Sequence, residues 1–139
     1  MDILIVESRY HPTVTDTLMD GATAALEKAG ARFTRAAVPG VLEVPAAIAI
    51  AARSGRPFDG YVALGSVTGP AHISDMLYAQ SMTALMTLGT QGFAIGNGIV
   101  LAGDEGAAHD LALRLDIGGD AARACLALVT LAQRADLLR

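Results

Sequence analysis

Short apolar runs alternate with longer stretches of helical periodicity along the whole chain. The runs lie at residues 3–7, 60–65 and 92–100, and residues 32–38 have enough β-branched and aromatic content for a further strand. Runs of this length, rich in aliphatic residues, are typical of strands buried on both faces of a parallel sheet. The pattern therefore predicts four β-strands.

Between and after these runs, apolar residues return every three or four positions, as on one face of a helix. Gly30 is suited to ending the first helix, Pro45 fits the first turn of the second, and Ser74 with Asp75 resembles a helix cap. The turn cluster at 54–57 separates the second helix from the third strand. Five helices are predicted, at about 13–29, 44–53, 74–88, 105–115 and 119–138.

Strands and helices that alternate in this way, joined by right-handed crossovers, predict a small doubly wound α/β layer structure. The 139 residues form one predicted domain, 1–139, which is long enough to bury a core. The carboxyl ends of parallel strands meet at one edge of the sheet, and sites in such folds lie there. Function is therefore expected in the loops that follow the strands.

Composition limits the possible partners. With 53% hydrophobic and only 17% charged residues, part of the surface is expected to be covered in a homo-oligomer. The apolar runs are far shorter than the ~20 residues of a membrane span. A net charge of −4 and a single lysine, Lys28, leave no basic stripe for a nucleic acid. The first residues lack a signal peptide's basic region and cleavage site, which indicates the cytoplasm.

Three side chains that could take part in catalysis or binding follow different strands. They are Tyr10, Glu43 and His72. Each has an ordinary alternative: a packed aromatic, an acid favoured at a helix start, and a hydrogen-bonded loop histidine. Their predicted meeting at one edge of the sheet favours a functional role. His72 is the best catalytic candidate, because an imidazole can give and take protons near neutral pH.

Metal and covalent chemistry are not indicated. His11, His72 and His109 have no Cys, Asp or Glu at zinc-motif spacing. Cys125 lies in a predicted helix without a neighbouring base, where a buried apolar role is expected. The glycines at 65 and 69 match neither of the common nucleotide-binding motifs. No metal or cofactor is predicted.

The chain resembles a known family, the lumazine synthases of riboflavin biosynthesis. The likeness runs through IVESRYHPTVTDTLMDGATAALEKAG, VPGVLEVPAAIAIAA, FDGYVALGSV, AIGNGIV and GGDAARACLALVTL. The segment at 38–45, VPGVLEVP, is its most specific part. The resemblance covers nearly the whole chain.

The resemblance implies a flavodoxin-like, three-layer α/β/α subunit with a four-stranded parallel sheet, assembled into pentamers or multiples of them, with active sites between neighbours. It implies a transferase without a cofactor. The reaction would join 5-amino-6-ribitylaminouracil to 3,4-dihydroxy-2-butanone 4-phosphate to give 6,7-dimethyl-8-ribityllumazine, with loss of phosphate and water.

The resemblance also implies residue roles. Tyr10 corresponds to the aromatic that stacks on the pyrimidine, and His72 to the histidine that transfers protons. The other residues that it places at the substrates are Val41, Leu42, Glu43, Ser66, Val67, Thr68, Gly69, Asn97 and Arg114.

The chain departs from the family where phosphate would bind. The loop Thr68-Gly69-Pro70-Ala71 is about two residues short and carries no cation, and Ile117 replaces a usual lysine. The segment that precedes the first strand in many members is also not present before Asp2. Three readings stay open: a synthase with weak phosphate affinity, a non-catalytic relative that binds lumazine or flavin, and an assembly protein.

Overall fold

The computed structural model describes residues 1–55 and 58–137. Within them, strands and helices alternate as predicted. In chain order the elements are β1 (Asp2–Ser8), α1 (Pro12–Lys28), β2 (Arg32–Val38), α2 (Glu43–Arg53), β3 (Gly60–Val67), α3 (Ala71–Thr90), β4 (Ile95–Leu101), α4 (Glu105–Arg114) and α5 (Ile117–Leu137).

The four strands form one sheet in the order β2-β1-β3-β4, and each neighbouring pair is parallel. Helices α1, α4 and α5 cover one face, and α2 and α3 cover the other. This arrangement confirms the predicted three-layer α/β/α fold. It also brings the ends of β1, β2 and β3 to the same edge, as the site prediction requires.

Strand β1 shows why both faces are apolar. Ile3 and Ile5 pack into the core under α1 and α5, whereas Leu4 and Val6 pack into the core under α2 and α3. All four are at most 4% exposed. A strand with a helical layer on each side has no face left for polar residues, which explains the continuous apolar run.

The glycines of β4 let α5 approach the sheet. A methyl group on Gly96 would collide with the backbone carbonyl of Ala121, and one on Gly98 would lie 3.1 Å from the Cβ atom of Ala121. The backbone that comes close to Gly96 therefore belongs to α5.

Several predicted boundaries were wrong. Strand β3 continues to Val67, β4 begins at Ile95, and α5 begins at Ile117. Helix α3 begins at Ala71, so Ser74 does not cap it. Ser74 is instead buried in the first turns and donates to the carbonyl oxygen of Gly69 at 3.4 Å. Of the predicted elements, residues 56, 57 and 138 lie outside the described part.

Across the described residues, no helix combines the length and the apolar content needed to cross a bilayer.

Candidate active site

A pocket of about 350 Å³ opens at the carboxyl edge of the sheet, between the loops that follow β1, β2 and β3. It is bounded by the turn before α2, the end of β3 and the first two turns of α3. Its lining residues are Tyr10, Gly40, Val41, Leu42, Glu43, Ser66, Val67, Thr68, Ile73 and Leu77. Seven of the residues predicted to bind substrate thus lie around one cavity.

Small residues are packed tightly beside the pocket, next to its lining residues Val41 and Ser66. Gly65 has no room for a side chain, because a Cβ atom there would lie 2.9 Å from the Cβ of Ser8 and 3.1 Å from Cγ1 of Val41. Ser66, beside it, lines the pocket and is 3% exposed. Within the described residues, the hydroxyls of Ser8 and Ser66 are buried without a hydrogen-bond partner. Buried hydroxyls of this kind usually find partners in water or a ligand.

The mouth of the pocket carries exposed apolar side chains. Tyr10 is 68% exposed, Leu42 51% and Ile73 45%. The ring of Tyr10 meets the ring of His11 edge-on, with 4.8 Å between the ring centroids. The large exposed fraction of Tyr10 leaves ring surface available for a flat partner.

Glu43 begins α2 and lies over the turn that precedes it. The amide of Glu43 donates to the carbonyl of Gly40 at 3.2 Å, and the amide of Val44 donates to that of Val41 at 3.3 Å. The Glu43 carboxylate also lies close to Gly40, with its Oε1 atom 3.6 Å from where a Cβ would be. The turn therefore holds a carboxylate and backbone polar groups at one wall of the pocket.

His72 does not line the pocket of the single chain. Its side chain is exposed in the first turn of α3. The residue that follows it, Ile73, does line the pocket. Gly69, which has a φ of 114°, comes directly after the lining residue Thr68 and is not itself part of the lining. The geometry thus puts the predicted catalytic histidine next to the cavity rather than inside it.

His11 does not line the pocket but contacts a residue that does, and the sequence did not reveal this contact. Its Nε2 atom lies 2.8 Å from the Thr68 hydroxyl, and its Nδ1 atom lies 3.4 Å from Oε2 of Glu105. Thr68 lines the pocket. These contacts join the ends of β1 and β3 to the start of α4, and no local spacing in the sequence could have indicated them.

An ion-pair network joins the end of β1 to the middle of β2. Glu7 is 2% exposed, and its carboxylate pairs with Arg9 at 2.6 Å and with Arg35 at 2.8 Å. Burial raises the pKa of Glu7, but hydrogen bonds and charges from Arg35 and Arg9 outweigh it and leave the pKa below its ordinary value. Arg9 also pairs with Asp16 at 2.8 Å, which anchors the segment before Tyr10.

Asn97 and Arg114 lie away from this pocket. Asn97 lines a separate apolar groove of about 640 Å³ between α3, β4 and α5, where its amide donates to the Met82 sulfur at 2.7 Å. Arg114 is in the last turn of α4 and pairs with Asp110 at 3.4 Å. One chain alone does not bring these two predicted residues to the cavity.

Possible metal ligands and a cysteine are present among the described residues. No group of three His, Cys, Asp or Glu side chains there is arranged to hold a metal ion. Cys125 is fully buried, and burial raises the pKa of its thiol to about 12. A thiol held neutral in this way is a poor nucleophile, so its role is packing, as predicted.

Comparison with known proteins agrees with the resemblance. A sequence model of the family described as 6,7-dimethyl-8-ribityllumazine synthase matches residues 1–133. A relative of that name from Sphingopyxis alaskensis is 44% identical over 135 residues, which cover 95% of each chain. One from Methylocella silvestris is 46% identical over 143 residues, covering 97% of this chain and 87% of the relative. "6,7-Dimethyl-8-ribityllumazine synthase 1" of Rhizobium meliloti is 43% identical, covering 95% and 92%. The chain therefore belongs to the 6,7-dimethyl-8-ribityllumazine synthase family.

Proposed function

We propose that this protein is a lumazine synthase, a transferase that condenses 5-amino-6-ribitylaminouracil with 3,4-dihydroxy-2-butanone 4-phosphate. The observation that carries the proposal is the pocket itself. In a member of this family, an exposed tyrosine, a carboxylate-bearing turn and a buried serine surround one cavity at the carboxyl edge of the sheet.

The lining suits a flat heterocycle with a polyol side chain. The exposed ring of Tyr10 offers a stacking face. Glu43 and the backbone of its turn offer acceptors and donors for ribityl hydroxyls, and the unpartnered hydroxyl of Ser66 offers a further one. Binding the amine in this way gives the reaction its orientation, which lowers the barrier by removing freedom of motion.

Proton transfer is the second requirement. An aryl amine that attacks a ketone forms a carbinolamine, which loses water only after its hydroxyl is protonated, and phosphate loss requires removal of a proton from carbon. Imidazole can give and take protons near neutral pH. His72 is the proposed catalytic residue, in the turn that carries the pocket residue Ile73.

The site is proposed to be completed by a neighbouring subunit in a homo-oligomer, a pentamer or a multiple of it. Two observations support this. Asn97 and Arg114 lie away from the pocket of their own chain. Helices α3 and α5 also leave large apolar side chains exposed, including Met86 at 70% and Leu131 at 61%, as expected of a surface that other copies cover.

The phosphate half of the site has few free charges of its own. Arg9, Arg114 and Arg123 are each ion-paired with carboxylates, and the loop Thr68–Ala71 contains no cation. A phosphate dianion gains about 1.5–3 kcal/mol from each charged hydrogen bond. We therefore expect poor saturation with the phosphate substrate. The cytoplasmic location inferred from the sequence stays a prediction.

The His72→Ala variant tests the assignment of the catalytic residue. We expect its kcat for lumazine formation to fall about a hundredfold, within the ~10²–10⁴-fold range of acid–base catalysis, with little change in the affinity for the product. His109→Ala is the matched control, because His109 lies on α4 and does not line the pocket. An unchanged kcat in His72→Ala would remove His72 from the mechanism.

A further inference from the structure

His11 is held between a carboxylate and a hydroxyl that lines the pocket. Its Nδ1 atom faces Oε2 of Glu105 at 3.4 Å, and its Nε2 atom faces Oγ1 of Thr68 at 2.8 Å. Glu105 is held in turn by the Thr13 hydroxyl, which donates to its Oε1 atom at 2.8 Å. Glu105, His11 and Thr68 thus form one line of contacts, an ion-pair distance followed by a hydrogen bond, that ends at a residue lining the cavity.

The carboxylate decides which nitrogen of His11 carries the proton. An ionised carboxylate can only accept hydrogen bonds, so the approach of Glu105 to Nδ1 at 3.4 Å favours a proton on that nitrogen. In the neutral ring Nε2 is then an acceptor, and the Thr68 hydroxyl must donate to it. In the cationic ring Nε2 donates to Thr68, whose own proton is then free to point into the pocket.

We propose that Glu105, His11 and Thr68 form a proton relay into the pocket, in which the Thr68 hydroxyl meets the bound substrate and His11 acts through it as a positioning residue. The proposal rests on the function proposed above and adds a second route for protons to the one through His72. The resemblance to the family implies no role for His11 or Glu105, so the relay stands on the contacts of these side chains alone.

The proton count of the relay is balanced. For delivery, Nε2–H of cationic His11 passes its proton to Oγ1 of Thr68 while the proton already on Oγ1 passes to the substrate oxygen. The hydroxyl is left intact and the imidazole becomes neutral. For removal, the same two transfers run in reverse, and the imidazole becomes cationic beside Glu105.

The position of His11 suits exchange with solvent. Its side chain keeps 17% exposure, whereas Thr68 is partly buried at the pocket wall. A proton taken from water at His11 can thus reach the cavity through one hydroxyl. The condensation needs both protonation and deprotonation steps, so a route that works in both directions matches its chemistry.

Kinetic variants separate the relay from a merely structural clamp. Thr68→Val removes the hydroxyl and keeps the shape, and His11→Ala removes the ring. We expect each to lower kcat for lumazine formation about tenfold or more while the affinity for the product and the melting temperature stay near those of the wild type. The double variant should lose no more than the worse single one, because groups that act in series are not additive.

Two rescue experiments sharpen the comparison. Thr68→Ser should restore most of the rate lost in Thr68→Val, since serine returns the hydroxyl. Free imidazole added to His11→Ala should raise its kcat, and it should leave Thr68→Val unchanged. A clamp that only holds the loop would also be restored by Thr68→Ser, because serine re-forms the hydrogen bond to His11, but it would not respond to free imidazole. Absence of the imidazole rescue would therefore overturn the relay.

Nitrogen NMR on the whole protein gives a readout that does not depend on turnover. Neutral His11 should carry its proton on Nδ1, and Glu105→Gln should reduce that preference. A neutral ring protonated on Nε2 in the wild type would overturn the relay. A wild type with no rate above the uncatalysed reaction would overturn the proposed function together with the relay, whereas an active wild type with unimpaired Thr68→Val and His11→Ala would overturn the relay alone.

Discussion

The charge of Glu7 stabilises the edge of the sheet at which the pocket opens. Its carboxylate is buried at the end of β1 and accepts hydrogen bonds from Arg9 and Arg35. Removing the arginines would leave a buried carboxylate without partners, and removing the carboxylate would leave two arginines unpaired. Either change lowers the free energy of unfolding by more than the loss of a surface ion pair does. Because Arg9 directly precedes Tyr10, the same contacts hold the start of the pocket wall in place.

Replacing Glu7 with glutamine tests this role. We expect Glu7→Gln to lower the free energy of unfolding at pH 7 by about 2 kcal/mol, the scale of charged hydrogen bonds. The folded-state pKa of Glu7 lies below its ordinary value of 4.5. The stabilisation is therefore fully present above that ordinary value and is lost as the pH falls through the folded-state pKa. Denaturant unfolding of both proteins between pH 7 and pH 3 should show the difference in their free energies of unfolding become smaller as the pH falls.

Asp16→Asn is the control for that experiment, since it removes an exposed partner of Arg9 and should cost less than about 1 kcal/mol. A gap between wild type and Glu7→Gln that stays constant with pH would show that the charge of Glu7 is not what stabilises the fold.

Residues close together along the chain were predictable, and distant contacts were not. The turn that supplies Val41, Leu42 and Glu43 was found from the sequence because its pattern is continuous. The contact between His11 and Thr68 spans 57 residues and depends on where β1 and β3 end relative to each other. No periodicity encodes that distance.

At the level of elements, α4 links the site to a helix cap. Asp104 precedes α4, and its side chain accepts from the amide of Ala107 at 2.8 Å. The next residue, Glu105, faces His11 from the first turn. The cap therefore sets the position of the carboxylate that contacts His11.

Substitution of the capping residue Asp104 should lower the stability of the protein. We expect Asp104→Ala to lower the free energy of unfolding by about 1 kcal/mol, the usual cost of a lost N-cap. Asp104→Asn, which keeps an acceptor in the same place, should lose much less. Equal losses in the two variants, measured by denaturant unfolding, would mean that the capping bond does not stabilise α4.

Helix α3 shows why boundaries are harder to predict than elements. Ser74 and Asp75 look like capping residues, but Pro70 lies just before the helix with extended backbone (ψ 130°) and the helix starts at the next residue. Ser74 is small enough to be buried inside the first turns. Packing against the sheet thus overrode the local preference for a cap.

At the level of the whole molecule, the alternation of elements was sufficient to predict the layers. Because β1 and β3 are covered on both faces, their apolar runs and the helical stripes between the strands indicate a parallel sheet with helices on each side. The edge strand β2 differs, since none of its residues is buried. The groove lined by Met86, Leu128 and Leu131 was not predictable from the pattern. It requires knowing that α3 and α5 diverge beside the edge strand β4.

This groove is the surface on which we test oligomerisation. Leu131→Arg puts a charge on an exposed apolar position and should shift the protein toward smaller species in sedimentation velocity. Glu27→Gln is the control, because it changes the net charge by the same amount at an exposed position of α1. Identical sedimentation of Leu131→Arg and the wild type would mean that this groove is not the interface.

The central claim is that the pocket between Tyr10 and the turn before α2 performs the condensation. The most direct measurement is the initial rate of lumazine formation from both substrates, corrected for the uncatalysed rate, with wild type and Tyr10→Ala. We predict a net rate for the wild type, and in Tyr10→Ala a KM for the pyrimidine substrate raised about tenfold by the lost stacking surface. A wild-type rate no higher than the protein-free reaction, or a Tyr10→Ala variant with unchanged kcat and KM, would contradict the account.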